Sequence, residues 1–171
     1  MLRPASAQAQ QLAAIPSSID GICEYRPCQV TLVSDDVVDR VVILEADSYL
    51  TAWGVWPADD PAKQSVAIEE VTQIADSPVR LPAGLANQLY VAGESGMGYV
   101  VYTVVLRDGR HLPFVTGNLV DFPALPRGVG TGNIVDVLAH QGPEQFRCRA
   151  PYWHQQSAPY HWCLFRCGLQ S

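Results

Sequence analysis

The sequence predicts a mainly β fold of the α+β class with one helix, and three observations support that prediction. Between residues 28 and 139, short runs rich in Val and Ile alternate with breaks of Gly, Pro and Asp, as in a protein built from short strands. An Asp-Gly dipeptide at 108–109 separates two apolar runs and indicates a hairpin. Residues 82–92 have helical spacing instead. These elements fit a small, strongly bent β-barrel or β-roll, SH3-like in shape, and an open antiparallel sheet with one helix packed across it is the alternative.

The first predicted strands form a hairpin. Residues 29–33 and 37–46 are rich in β-branched side chains, and the polar residues 34–36 separate them. Residues 49–56 are predicted as a third strand. That strand ends at the loop 57–61, because the two prolines there cannot donate to a sheet.

The apolar spacing then changes. Val66, Ile68, Val71 and Ile74 shift from alternate to three-residue spacing, which predicts a strand with a bulge or a single 3₁₀ turn. A short helix is the alternative at this position.

The predicted helix covers residues 82–92. Pro82 suits its first position, where a missing N–H costs nothing. Leu85 and Leu89 share one face, and Gly93 is placed to end the helix in the left-handed conformation. We expect this to be the only long helix.

The central hairpin follows the helix. Residues 99–106 are apolar on both faces, which predicts a strand buried on each side. Residues 111–116 return beside it, and Pro113 suggests that one side of this strand is unpaired. Residues 134–139 give a last short strand.

The length and composition indicate one globular domain. The chain has 171 residues, and we predict a flexible leader at 1–20, a single β-rich domain at 21–142 and a tail at 143–171 that packs on the domain. No apolar run approaches the roughly 20 residues that a membrane-spanning helix needs, so we expect a soluble, cytoplasmic protein with no membrane partner. A secreted protein is the alternative if the start codon is misassigned.

The charge distribution disfavours nucleic acid as a partner. The net charge is −6, and the three arginines of residues 145–171 are the only charged side chains there. Residues 1–144 are therefore strongly acidic, whereas binding to a duplex rests on Lys and Arg. A protein partner of unknown identity is the expectation that remains.

Three glycines mark the loop 93–98 as a candidate site. Glu94 and Ser95 offer a carboxylate and a hydroxyl, so a hydrolase-like enzyme is one interpretation. The loop differs from the G-x-S-x-G elbow of serine hydrolases, because Met97 occupies the last glycine position and a helix precedes the loop where an elbow has a strand. The pairing predicted for the hairpin also keeps His111 away from Glu94. We therefore expect the loop to turn the helix into the hairpin, with Gly96 and Gly98 permitting close packing and Glu94 and Ser95 left to cap the backbone or contact a ligand.

Five cysteines suggest a zinc site that joins the chain ends. Thiolate and imidazole ligands in tetrahedral sets bind zinc, but the spacings here are not the sharp C-x2-C kind. Buried or unpaired thiols are the preferred interpretation, and disulfides are a third possibility. The candidate ligands are Cys23, Cys28, Cys163 and Cys167, with Cys148, His154 and His161 as alternates.

A short imperfect duplication places Pro-aromatic units at 150–154 and 158–162. Such segments dock on apolar surface, and we expect them to pack on their own domain. With Trp53 and Trp56 they can form an aromatic cluster, which binds a ligand or serves as core.

The sequence thus favours a small β-rich binding or interaction module without catalysis or cofactor. A hydrolase-like enzyme that uses the loop 93–98 and a zinc-stabilised protein are the alternatives. The candidate ligand or partner residues are Glu94, Ser95, Gly96, Gly98, Trp53 and Trp56.

Overall fold

The computed structural model describes residues 6–140 and 158–166, which form a mixed α+β fold made mostly of strands, with three helices and two sheets. The helices are α1 (Ser6–Ala14), α2 (Ala46–Trp53) and α3 (Ala83–Ala92). The strands are β1 (Ser18–Asp20), β2 (Cys23–Leu32), β3 (Val37–Glu45), β4 (Gln64–Ser65), β5 (Val71–Ala75), β6 (Val100–Leu106), β7 (His111–Thr116), β8 (Ile134–Ala139) and β9 (His161–Phe165).

The chain divides into two compact units. Unit 1 comprises the residues up to Pro78 and those from Tyr160 onwards, and unit 2 runs from Val79 to Pro159. The domain boundaries predicted from the sequence, after residues 20 and 142, differ from the boundaries between these units. None of the described helices has the length and apolar character needed to cross a membrane.

Unit 1 contains a six-stranded sheet in the order β1-β2-β3-β9-β4, with β5 also paired to β2. The predicted first hairpin is confirmed, since β2 and β3 are antiparallel and meet at a turn where Asp35 has a φ of 66°. β9 lies between β3 and β4 and runs parallel to both. A strand from the C-terminal end of the chain therefore occupies an interior position in this sheet.

The third predicted strand is wrong, because much of residues 49–56 belongs to α2. The Glu45 carboxylate accepts hydrogen bonds from the amides of Asp47 and Ser48, which caps the start of the helix. Gly54, with a φ of 72°, ends it. Tyr49 and Trp53 are four residues apart and so share one helical face.

A 3₁₀ turn at Ile68–Glu70 leads into β5, which confirms the predicted single turn.

Helix α1 covers an edge of the unit 1 sheet, along β5. The Gln8 amide donates to the Val71 carbonyl, and the Gln11 side-chain oxygen accepts from the Ile74 amide at 3.0 Å. These bonds satisfy backbone groups of β5 that no strand pairs among the described residues. Leu12 and Ile15, from the segment predicted as a flexible leader, are buried in the core.

Side chains cover both faces of the unit 1 sheet. Residues 41–44 of β3 are all buried, and successive side chains in a strand point to opposite faces. One face carries Cys28, Val30 and Cys163 in the core that α1 completes. The other face carries Trp162, which packs against the aromatic rings of α2.

Unit 2 is an open three-stranded sheet in the order β7-β6-β8, with α3 packed on it. The central hairpin is confirmed in the predicted register, from Val100 opposite Thr116 to Val105 opposite His111. The predicted helix corresponds to α3, whereas α2 was not predicted. No closed barrel forms among the described residues, so the SH3-like barrel is not confirmed and the open-sheet alternative agrees better with unit 2.

A buried ion pair lies in the interior of unit 2. The Arg80 and Asp121 side chains are 3% and 0% exposed, and Nε of Arg80 lies 3.3 Å from the Asp121 carboxylate. The Tyr90 hydroxyl donates to the same carboxylate at 2.7 Å. Burial and the charge of Asp121 both raise the pKa of Tyr102. This network ties the segments before and after the central hairpin to α3.

Candidate functional site: a tryptophan-lined cleft

The loop at residues 93–98 uses its polar side chains to hold the local backbone. A Glu94 carboxylate oxygen accepts from the Gly98 amide at 3.1 Å. The Ser95 hydroxyl accepts from the Val101 amide at 2.9 Å and donates to the His140 carbonyl at 2.8 Å. These bonds agree with the predicted structural role of the loop, in which Glu94 caps backbone amides. Among the described residues, these bonds connect the Ser95 hydroxyl to backbone groups and not to a side chain that could act as a general base.

The hairpin register separates the loop from the histidine considered as its partner. His111 pairs with Val105, near the turn, whereas the loop joins the opposite end of the hairpin at Val100. Glu94 and His111 therefore lie at opposite ends of the hairpin, as the sequence predicts. The hydrolase-like alternative gains no geometric support here.

Two glycines of this loop have different structural requirements. Gly98 has a φ of 78°, which L-residues rarely adopt. A Cβ on Gly96 would lie 2.3 Å from the Tyr99 ring, so that ring would have to move. Gly93 ends α3, as predicted, but with a φ of 79° and a ψ of −174° it does not adopt the predicted left-handed conformation.

Replacing Gly98 with valine is expected to destabilise unit 2 by at least about 1–2 kcal/mol, because a β-branched residue is strained at a positive φ. The measurement is urea unfolding followed by circular dichroism. Gly84→Ala is the matched control, since a Cβ there meets open space within α3 and alanine favours a helix. A folded Gly98→Val variant of unchanged stability that loses a specific partner would instead make the loop a binding site.

The cysteines described by the structure are buried. Cys28 and Cys163 belong to the same apolar core, and burial raises the pKa of the Cys163 thiol, with nearby Cys28 and Glu69 adding to the shift. Burial also raises the pKa of the Cys23 thiol. Zinc binds thiolates, and an apolar environment disfavours the thiolate form. These residues therefore favour the buried-thiol interpretation.

The predicted zinc clip stays a prediction. In the described part of the chain, no three His, Cys, Asp or Glu side chains gather as a metal site would require. His161 lies in β9 and is half-buried. The remaining candidate ligands, Cys148, His154 and Cys167, lie outside the described residues.

An aromatic cluster forms between α2 and β9. The ring centroid of Trp162 lies 5.3 Å from that of Trp53 and 5.1 Å from that of Tyr49. Tyr160 adds an edge contact to Trp162 at 5.4 Å, and burial and Tyr49 raise the pKa of its hydroxyl to about 12. The second Pro-aromatic unit therefore forms a cluster with Trp53, which is the part of the predicted cluster with Trp53 and Trp56 that these ring contacts show. The first unit, at 150–154, lies outside the described residues.

The only lysine of the chain rests on this cluster. The Lys63 ammonium donates to the Tyr49 hydroxyl at 2.7 Å and lies 5.1 Å and 5.6 Å from the ring centroids of Tyr49 and Trp53. It also lies 3.6 Å from the Asp60 carboxylate. Cation–π contacts of this kind need a positive charge within about 6 Å of the ring. Lys63 thereby fastens the loop before β4 to the aromatic rings.

A cleft of about 400 Å³ opens beside the cluster in unit 1. Its floor consists of Val66, Ile68, Trp162 and Leu164, which are buried, and Pro57 is a further buried residue of the lining. The segment from β4 to the 3₁₀ turn supplies Val66 and Ile68, and β9 supplies Trp162 and Leu164. The cleft therefore exists because the C-terminal strand inserts next to β4.

The rim of the cleft combines an indole with acidic groups. Trp56 is half-buried on the rim, and the guanidinium carbon of Arg166 lies 5.8 Å from its ring centroid. Among the described residues that line the cleft, Asp59 and Glu69 are the charged ones, and both are exposed. Each stands on a 3₁₀ turn, Pro57–Asp59 for the first and Ile68–Glu70 for the second. The cleft is thus apolar at its floor, and its rim combines the carboxylates of Asp59 and Glu69 with the Arg166 guanidinium over Trp56.

The sequence identified only part of this cleft. Trp56, which the sequence offers as a candidate ligand residue, lines the cleft. Trp53 belongs instead to the aromatic cluster, where it contacts Trp162. Asp59 and Glu69 have no local sequence signal, because chain segments brought together by folding create their shared environment. No family model, curated protein or solved structure matches this chain. The chemistry of the cleft is therefore the basis for a functional proposal.

Proposed function

We propose that the protein is a non-catalytic binding module whose ligand site is the cleft of unit 1. The observation that supports this most is the floor of Val66, Ile68, Trp162 and Leu164, which offers apolar surface in a concave site. A volume of about 400 Å³ falls within the roughly 300–1,000 Å³ of small-ligand sites. Such sites combine apolar lining with a few polar groups that orient the ligand, and Ser65, Asp59 and Glu69 supply those groups here.

The exposure of the two carboxylates favours binding over catalysis. A general acid or base usually works in a site from which water is excluded. Asp59 and Glu69 are both exposed to water. They suit the recognition of a ligand better than the transfer of a proton.

Replacing Trp56 with alanine is expected to weaken ligands of the cleft about tenfold or more, because a stacking and cation–π surface on the rim is lost. The test is a fragment screen by ligand-observed NMR on the full chain and on Trp56→Ala. Hits of the wild-type chain should disappear from the variant.

Val55→Ala is the matched control for this screen. Val55 is exposed, precedes Trp56 directly and does not line the cleft, so its replacement should keep every hit. Thermal melting establishes that both variants are folded. The proposal fails if the hits of the wild-type chain survive in folded Trp56→Ala.

A further inference from the structure

We infer that helix α1 shields the outer edge of β5 from pairing with a second copy of this chain, and that Gln8 and Gln11 hold the helix there by bonding the β5 backbone. The inference does not depend on the cleft. It rests on the side-chain bonds between α1 and β5, on the small size of α1 and on the composition of β5.

Strand β5 uses one edge to pair with β2, where Ala75 lies opposite Gln29 and Val71 lies opposite Leu32. The backbone groups on the other edge of such a strand can pair with a further strand, which makes an edge a site of association between chains. Proteins limit that association with a β-bulge or by covering the edge with a helix. The pairing of β5 with β2 contains a register shift of the first kind, and α1 provides the cover.

Two glutamines of α1 bond the outer edge of β5. The Gln8 side-chain amide donates to the Val71 carbonyl, and the Gln11 side-chain oxygen accepts from the Ile74 amide at 3.0 Å. Gln8 and Gln11 are three residues apart and therefore share one face of the helix. A primary amide offers both a donor and an acceptor, as a peptide group does. The two side chains thereby take the place of the backbone groups of a further strand.

Helix α1 is small enough to be displaced from this edge. It has nine residues, and an isolated helix of that length is marginal in water. Leu12 is buried and Ile15 anchors the chain just after the helix, whereas the alanines at 9, 13 and 14 are exposed. The glutamine bonds are therefore a substantial part of what holds α1. Because α1 and a further strand would use the same edge, each bond to α1 shifts the balance against pairing.

The β5 edge of a second copy suits the edge that α1 covers. Strand β5 reads Val-Thr-Gln-Ile-Ala and contains no charged residue, and its β-branched residues favour extended backbone. Two identical edges can pair antiparallel about a two-fold axis, since each offers the groups that the other needs. Glu70 and Asp76 flank the strand and confine the pairing to it, because like charges directly opposite each other are unfavourable.

The experiment compares the full chain with a Gln8→Ala/Gln11→Ala variant by sedimentation velocity over a range of concentrations. The variant lacks both side-chain bonds, while alanine keeps the helical propensity high. Its dimer dissociation constant should be about tenfold lower than that of the unchanged chain, because two hydrogen bonds no longer favour α1 over the second copy. Gln10→Ala is the matched control: Gln10 is exposed on the same helix, so its replacement should leave the dissociation constant unchanged.

A charge on β5 shows whether the association uses this edge. Gln73 is exposed in β5, and a lysine on an edge strand opposes pairing. Adding Gln73→Lys to the double variant should therefore restore the dissociation constant of the unchanged chain. Association through unfolded chains or through another surface would persist in this triple variant.

The inference is wrong if the folded double variant has the dissociation constant of the unchanged chain, or if the triple variant associates as strongly as the double variant. Thermal melting establishes that each variant is folded. If the double variant does not fold, Gln11→Ala alone decides, because it removes only the bond to Ile74. That single variant should lower the dissociation constant a few-fold, and an unchanged value would overturn the inference.

Discussion

Replacing Trp162 with alanine is expected to cost unit 1 about 3–5 kcal/mol of its unfolding free energy, as truncation of a buried tryptophan does. Trp162 is 4% exposed, and its ring lies within 6.1 Å of the ring of Tyr25 and within 5.3 Å of those of Tyr49 and Trp53. The substitution also removes part of the floor of the cleft. Chemical denaturation of the full chain, followed by circular dichroism, measures the loss.

Trp56→Ala is the control for this prediction. Trp56 is only half-buried on the rim, so its replacement should destabilise the chain far less while still removing binding. A Trp162→Ala variant that loses less than about 1 kcal/mol would contradict the interior position of β9. Point variants are more informative than deletion of the tail, because deletion removes β9 from between β3 and β4 altogether.

Replacing Asp121 with alanine is expected to cost unit 2 about 3–5 kcal/mol, because it leaves the buried Arg80 guanidinium without this carboxylate. The substitution also takes away the acceptor of the Tyr90 hydroxyl. Replacing the pair together, as Arg80→Met with Asp121→Leu, should cost less than the single change, since no buried charge then loses its partner. Urea unfolding of the single and double variants provides the comparison.

Asp108→Ala is the matched control for the buried pair. Asp108 bonds Arg110 at the surface, where solvent screens the interaction, so its loss should change stability very little. Equal effects of Asp121→Ala and Asp108→Ala would contradict the structural role of the Arg80–Asp121 pair.

Local sequence patterns predicted the elements that local contacts specify. The Asp-Gly turn at 108–109 and the two-sided apolar run before it identified the central hairpin, and Pro82 with Gly93 bounded α3. Helix α2 was missed because its cap is Glu45, which is not one of the preferred N-cap residues. Tyr49 and Trp53 also favour strands by intrinsic propensity, and their helical spacing is visible only once the cap is recognised.

Long-range pairing explains what the sequence did not predict. β9 pairs in parallel with β3, more than 100 residues earlier in the chain, and a parallel pair leaves no turn signal. The cleft depends on that pairing, so Trp162 was recognised only as part of an aromatic duplication. Asp59, Glu69 and the Arg80–Asp121 pair likewise acquire their environment from segments that are distant in sequence.

The most direct test of the cleft as the ligand site is a ¹⁵N–¹H spectrum of the full chain titrated with a fragment that binds. Trp→Phe variants assign the indole N–H signals of the four tryptophans. We predict that the largest shifts occur at the indoles of Trp56 and Trp162 and at the amides of Ala67 and Glu69. Shifts centred instead on the amides of Glu94 and Ser95 would place the ligand at the glycine loop and contradict the assignment of the cleft.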